Sequence, residues 1–408
     1  MNPDQHHLNI ILTLLTAYLF PIAAISAEPR PPVVVTKTAR QIHAASFVFD
    51  GHNDLPWELR RLSNGKLESV DLLKGIPAIH TDIPRLRVGN VGAQFWAAYV
   101  PATTMKDGKA LSMTLEQIDL IKAFVSRYPD TFELATSASD VDRIRKSGKI
   151  ASLIGVEGGH SIEDSIDNLR RLHMLGARYM TLTHSDTLKW ADAATDAPQH
   201  QGLTEFGEEV VREMNRLGML VDLSHVSPET MRDALRISRA PIIFSHSSAR
   251  AVANHPRNVP DDVLKLTAEN GGVVMVNFYS GFVHPESASI RANMFEKQRE
   301  LRKEYPNEAE YKLARKRWES DNPIERGSVH DVVDHIVHIS RIAGIKHVGL
   351  GSDFDGINST PQQLEDVSTY PVITQELLNR DFKEEEIHLI MSGNMLRVLR
   401  SAETISAK

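Results

Sequence analysis

Residues 46–54 read SFVFDGHND and residues 150–159 read IASLIGVEGG. In each, an apolar stretch rich in Val, Ile and Phe runs into residues able to bind a metal: His52 and Asp54 in the first, Glu157 in the second. Working outward, six more stretches have the same build. They are VGAQFWAAYV from Val91, ARYMTLTH from Ala177, MLVDLSH from Met219, PIIFSH from Pro241, GGVVMVNF from Gly271 and HVGLGSD from His347. Such short runs, bounded by Gly, Pro or Asp, suit strands buried on both faces of a parallel sheet. Most of the gaps carry helical patterns. Ile162, Ile166, Leu169, Leu172 and Leu175 recur at intervals of three and four, and EFGEEVVREMNRLG from Glu205 behaves likewise. SPETMRDALRIS opens on Ser227-Pro228, an N-cap followed by a proline in the first turn. Eight strands with helices between them predict one (β/α)8 barrel.

The chain has 408 residues and a formal charge of −7, which gives no basic face for a nucleic-acid partner. It has no cysteine, so disulfides and thiolate metal sites are excluded and any ion must be held by His, Asp or Glu. Residues 8–25 are almost wholly apolar, and Ser26-Ala27 supplies small residues before Glu28-Pro29. The expectation is an export signal over residues 1–27, cleaved to leave one domain over 28–408 in a periplasmic or secreted location. An uncleaved anchor is the alternative. A charged segment at about 287–322 interrupts the alternation between the seventh and eighth strands and contains Pro306. It reads as solvated helices broken at that proline, a lid or a subunit contact being the other readings.

In a (β/α)8 barrel the chemistry sits where strands end. Strand parity puts His52 and Asp54 on one side, while Glu157 shares the parity of Leu153 and Gly155. By the same count His225 follows Val221 and Leu223, His246 follows Ile242 and Phe244, and each is expected to be the last inward-facing residue of its run. Asp222 is expected to face away from the axis. Three imidazoles and two carboxylates suit a pair of divalent ions about 3.5 Å apart bridged by Glu157, which lowers the pKa of a shared water towards neutrality. His160, His173 and His255 do not share this placement and read as ordinary polar residues.

The segments DGHNDLP, GVEGGH, TLTHS, DLSHVS, FSHSSAR, HPRNVPDD and GLGSDFDG, in that order, resemble the renal (membrane) dipeptidase family of the amidohydrolase superfamily. The resemblance runs from about Ser46 past Asn394. It implies a dipeptidase with two zinc ions per subunit, commonly a homodimer: His52 and Asp54 on one zinc, His225 and His246 on the other, and Glu157 between them. It further implies that His184 stabilises the oxyanion, that Arg257 pairs with the substrate carboxylate, and that Asp353 carries the proton. Read alone, Arg257 has an equal alternative, fixing its own loop through Asp261 or Asp262. The resemblance also makes L-Xaa-D-Xaa dipeptides and β-lactams secondary substrates. Another amidohydrolase activity, on lactones or N-acyl amino acids, and a catalytically silent binding protein remain the rival readings.

Overall fold

The computed structural model describes residues 30–63 and 67–406, and the expected signal at 1–27 lies outside them. Nine strands occur among the described residues: β1 (Val48–Asn53), β2 (Val91–Tyr99), β3 (Phe132–Leu134), β4 (Ile150–Glu157), β5 (Ala177–Thr181), β6 (Leu220–Asp222), β7 (Ile243–Phe244), β8 (Val273–Val276) and β9 (Val348–Leu350). All pair in parallel, in the order β2-β1-β9-β8-β7-β6-β5-β4, and β2 then pairs with β4 from Ala93↔Ala151 to Tyr99↔Glu157. That last pairing closes an eight-stranded (β/α)8 barrel. Each of its strands falls in one of the eight apolar stretches.

The ninth strand was not anticipated. β3 pairs with Ile150–Ser152 of β4, on the edge that β5 takes over from Ile154 onward, so it is a side strand and not a stave. Three residues are too short for a periodicity to show.

Helices start and stop where local chemistry directs. Ser227 Oγ accepts from Thr230 N at 3.2 Å, and Pro228 opens the helix Pro228–Ile237. Gly218, at φ +72°, ends the helix Glu205–Leu217 in a left-handed turn that glycine takes without steric cost.

One apolar cluster draws Phe49, Phe95, Leu153, Tyr179, Leu220, Ile243 and Met275 from seven successive staves, and this cluster fills the barrel. Gly155 stands beside Tyr179 in register, and a Cβ there would enter the tyrosine ring. The missing side chain is what gives Tyr179 room at the axis.

The cluster also corrects the parity count. Leu220 and Ile243 face inward, so Asp222 and Ser245 do too, while Val221, Leu223, Ile242 and Phe244 belong to the layer beneath the helices. Of Glu157, His225 and His246, Glu157 alone reaches the centre as the parity count describes, while His52 and Asp54 do share a side, 3.2 Å apart. β1 is irregular between Asp50 and Asn53, and His225 lies beyond the end of β6 at φ +69°. Local backbone departures of this kind redirect a side chain.

The charged segment forms two helices, Pro285–Glu304 and Glu308–Asp321, on either side of Pro306. They are not merely solvated. Arg291, Met294 and Phe295 of the first and Arg315 of the second line the cavity at the barrel mouth. Arg299 Nη1 donates to Thr195 O at 3.1 Å, fastening the first helix to the loop after β5. No described helix is long and apolar enough to cross a membrane.

Candidate metal centre

The expected donors meet at the mouth. Glu157 ends β4, and its Oε1 lies 3.6 Å from His52 Nε2, 3.7 Å from His184 Nε2, 3.2 Å from His225 Nε2 and 3.5 Å from His246 Nε2. His52 Nε2 is also 3.2 Å from Asp54 Oδ2, and the Nε2 atoms of His225 and His246 are 2.9 Å apart. Three sets of donor atoms, each mutually within 4.8 Å, are able to hold an ion: His52–Glu157–His246, Glu157–His184–His225 and His52–Asp54–Asp353. His184 and Asp353, expected as catalytic groups, therefore lie within reach of the same candidate ion positions. Gly356 makes this crowding possible, because a Cβ there would overlap the carboxylates of Asp54 and Asp353.

The electrostatics suit cations. Burial, followed by the Arg257 charge and His184 for His225, and by His52 and Arg257 for His246, holds both imidazoles well below their usual pKa, so they are neutral donors. Burial raises the Glu157 carboxyl, but His52, His184 and His225 outweigh it and bring it well below the usual range. Burial lowers His52, yet Tyr179, Glu157 and Asp54 carry it well above its ordinary value. These carboxylates draw positive charge towards themselves. Asp353 is raised well above normal, first by burial and then by Asp54 and Glu157 with His52 opposing, and it accepts a hydrogen bond from Asn277 Nδ2 at 2.9 Å.

Several supporting groups escaped the sequence reading. Tyr179 Oη hydrogen-bonds His52 Nδ1 at 2.8 Å. Ser245 Oγ donates to Asp222 Oδ2 at 2.6 Å and stands 2.8 Å from His246 Nδ1. With its proton committed to Asp222, that hydroxyl accepts from Nδ1–H and leaves the Nε2 lone pair facing Glu157. Asp222 thus supports a donor from inside the barrel. His255 Nδ1 accepts from the Arg257 backbone N–H at 3.0 Å, so it shapes the Arg257 loop. The signal for Tyr179 was present, because it lies two residues before the last residue of β5, on the same face.

Arg257 is only 2% exposed. It donates to Ser247 Oγ and to His246 O at 3.3 Å each, and its Nε has no partner among the described residues. It does not fix its loop through the nearby acids: Asp261 pairs with His338 at 2.7 Å and Asp262 with Arg232 at 2.8 Å. Burial lowers its pKa to about 10, which still leaves it cationic at neutral pH. Arg257, His184, Asp353, Asp54, Glu157 and His225 line one cavity of about 550 Å³.

The family model for membrane dipeptidase, peptidase family M19, matches residues 36–408. The chain belongs to this family. Mouse Dipeptidase 3 is 43% identical over 366 residues, covering 88% of this chain and 65% of the mouse protein; the rat protein gives 43%, 88% and 66%. The chain thus spans about two thirds of the length of these family members. The probable dipeptidase PvdM of Pseudomonas aeruginosa has the same fold, with a TM-score of 0.78 at 23% identity over 91% of this chain and 99% of that one. A metallopeptidase of Rhodobacter sphaeroides, solved with a phosphinate mimic of the dipeptide L-Ala-D-Ala, gives a TM-score of 0.72 at 24% identity, covering 88% and 99%.

Proposed function

We propose that this chain is a zinc-dependent dipeptidase acting on dipeptides with a free C-terminal carboxylate. The observation that carries the reading is Arg257, a buried guanidinium with no carboxylate partner among the described residues, lining the same cavity as the histidine–carboxylate cluster. A cation so placed is satisfied by a substrate anion.

His52 and Asp54 would hold one zinc, His225 and His246 the second, with Glu157 shared; neutral imidazoles and deprotonated carboxylates are the donor forms zinc takes. When bound, two such ions lower the pKa of water and polarise a carbonyl. The remaining work falls to side chains. Arg257 grips the substrate carboxylate and sets the length that fits. His184 Nδ1 lies 3.0 Å from Ser185 Oγ, and a hydrogen bond donated by that hydroxyl leaves the His184 proton on Nε2, where it serves a developing oxyanion. Asp353, raised in pKa and held by Asn277, takes the proton of the attacking water and returns it to the leaving amine.

The resemblance also supports L-Xaa-D-Xaa dipeptides and β-lactams as secondary substrates, and a homodimer. The apolar N-terminal sequence supports export to a periplasmic or secreted location, with cleavage after Ala27 removing residues 8–25. N-terminal sequencing of the protein recovered from the cell envelope checks the cleavage. An N-terminus that still includes residues 8–25 would place the chain on a membrane instead.

The decisive experiment follows alanyl dipeptide cleavage before chelation, after it, and after zinc is restored. The expected result is loss and recovery in step with bound zinc; full turnover after chelation refutes the reading. In a related titration, Tyr179→Phe is expected to weaken zinc binding about 10- to 100-fold, because His52 loses the partner that orients it. Competition with a chromophoric chelator measures this directly, and an unchanged affinity would remove Tyr179 from the support of the site.

A further inference from the structure

The two insertion helices bring cations into a cavity that already contains one. On the first helix, Arg291, Met294 and Phe295 share a face by their spacing of three and four, and that face looks into the mouth. The Arg291 guanidinium carbon lies 5.6 Å from the Tyr279 ring centroid, and Tyr279 meets Phe282 at 4.8 Å with the rings perpendicular. Phe282 in turn lies under the Arg257 guanidinium at 5.3 Å. The Tyr279–Phe282 pair therefore joins two guanidiniums along one wall of the cavity.

The two newcomers differ in how their charge is met. Arg291 donates from Nη1 to Met294 Sδ at 2.6 Å and hydrogen-bonds the Tyr279 hydroxyl, but its buried Nε has no hydrogen-bond partner and no carboxylate pairs with it among the described residues. Arg315 is already engaged by Glu319 at 2.8 Å and its side chain is 44% exposed. Of the two, Arg291 is the one left to be satisfied by an anion. Acidic groups lining the cavity, including Asp54, Glu58, Asp353 and Asp355, are on other segments, from β1 through the following helix and beyond β9.

We infer that Arg291, assisted by Arg315, selects dipeptides whose C-terminal residue carries a second carboxylate on its side chain. This rests on the dipeptidase reading: Arg257 takes the main-chain carboxylate, and the side chain of the same residue then extends along the Tyr279–Phe282 wall towards Arg291. A glutamyl or aspartyl side chain supplies the missing charge. Its amide counterpart has the same shape without it.

The test compares Ala-Glu with Ala-Gln on the zinc-loaded full chain, in whichever configuration of the second residue is cleaved faster. The readout is the ratio of their kcat/KM values within each variant, which a general loss of fold or metal does not change. The wild type is expected to prefer Ala-Glu by about 10- to 100-fold, the worth of one charge-assisted hydrogen bond. Arg291→Met is expected to bring the ratio towards one, Arg291→Lys to keep part of it, and Arg315→Met to lower it less. Should Arg291→Met fail to fold, the exposed Arg315→Met and salt titration of the wild-type ratio carry the test. A wild-type ratio near one with Ala-Ala still cleaved overturns this inference alone, as does a ratio undiminished in these variants. Absence of cleavage of any dipeptide overturns the dipeptidase reading and this inference with it.

Discussion

Replacing Glu157 with alanine is expected to lower kcat/KM for alanyl dipeptides by at least about 10³-fold and to reduce bound zinc below two per chain. The argument starts from position. One oxygen of Glu157 lies within 3.7 Å of four imidazole nitrogens, and no other carboxylate is so placed among the described residues. Without it, His225 and His246 face each other at 2.9 Å with no anion between them, and two cations held on either side would repel without relief. Elemental analysis beside a kinetic assay separates lost metal from lost chemistry. Wild-type turnover in a metal-free Glu157→Ala protein would end the proposal.

The second large effect is at Arg257. Arg257→Met is expected to lower kcat/KM for ordinary dipeptides roughly 10²- to 10³-fold, the cost of removing one partner from a desolvated ion pair. Dipeptide amides and lactones, which lack the carboxylate, are expected to change much less. Folding is expected to survive, because methionine fills similar space and the arginine side chain makes two long hydrogen bonds among the described residues, at 3.3 Å each. Equal losses on both kinds of substrate would point to one of the other amidohydrolase activities. A thermal melt of the variant guards against a mere loss of structure.

Much of this was legible in the sequence, for reasons that differ by residue. The eight barrel strands announced themselves because a stave buried on both faces has to be apolar throughout, and Val91–Tyr99 or Ile150–Glu157 cannot be mistaken for an exposed edge. The candidate donors were legible as residue types at the ends of those runs, and the structure brings them together. How His225 and His246 reach the centre was not, since strand parity ends with the strand and both lie in the loops beyond. β3 was too short to show a pattern. The insertion hid its role for another reason: helices whose outer surface is charged look solvated, and only the fold shows that Arg291 and Phe295 turn inward.

Three residues at the rim, His225, Asp353 and Asp355, sit at φ +69°, +63° and +69°. Each non-glycine residue there gives up about 1 kcal/mol or more relative to an unstrained backbone. Laboratory selection for heat tolerance alone would therefore drift towards glycine at these positions and produce robust but inert barrels. Engineers seeking a hardier enzyme should leave this rim untouched and look to the outer helices.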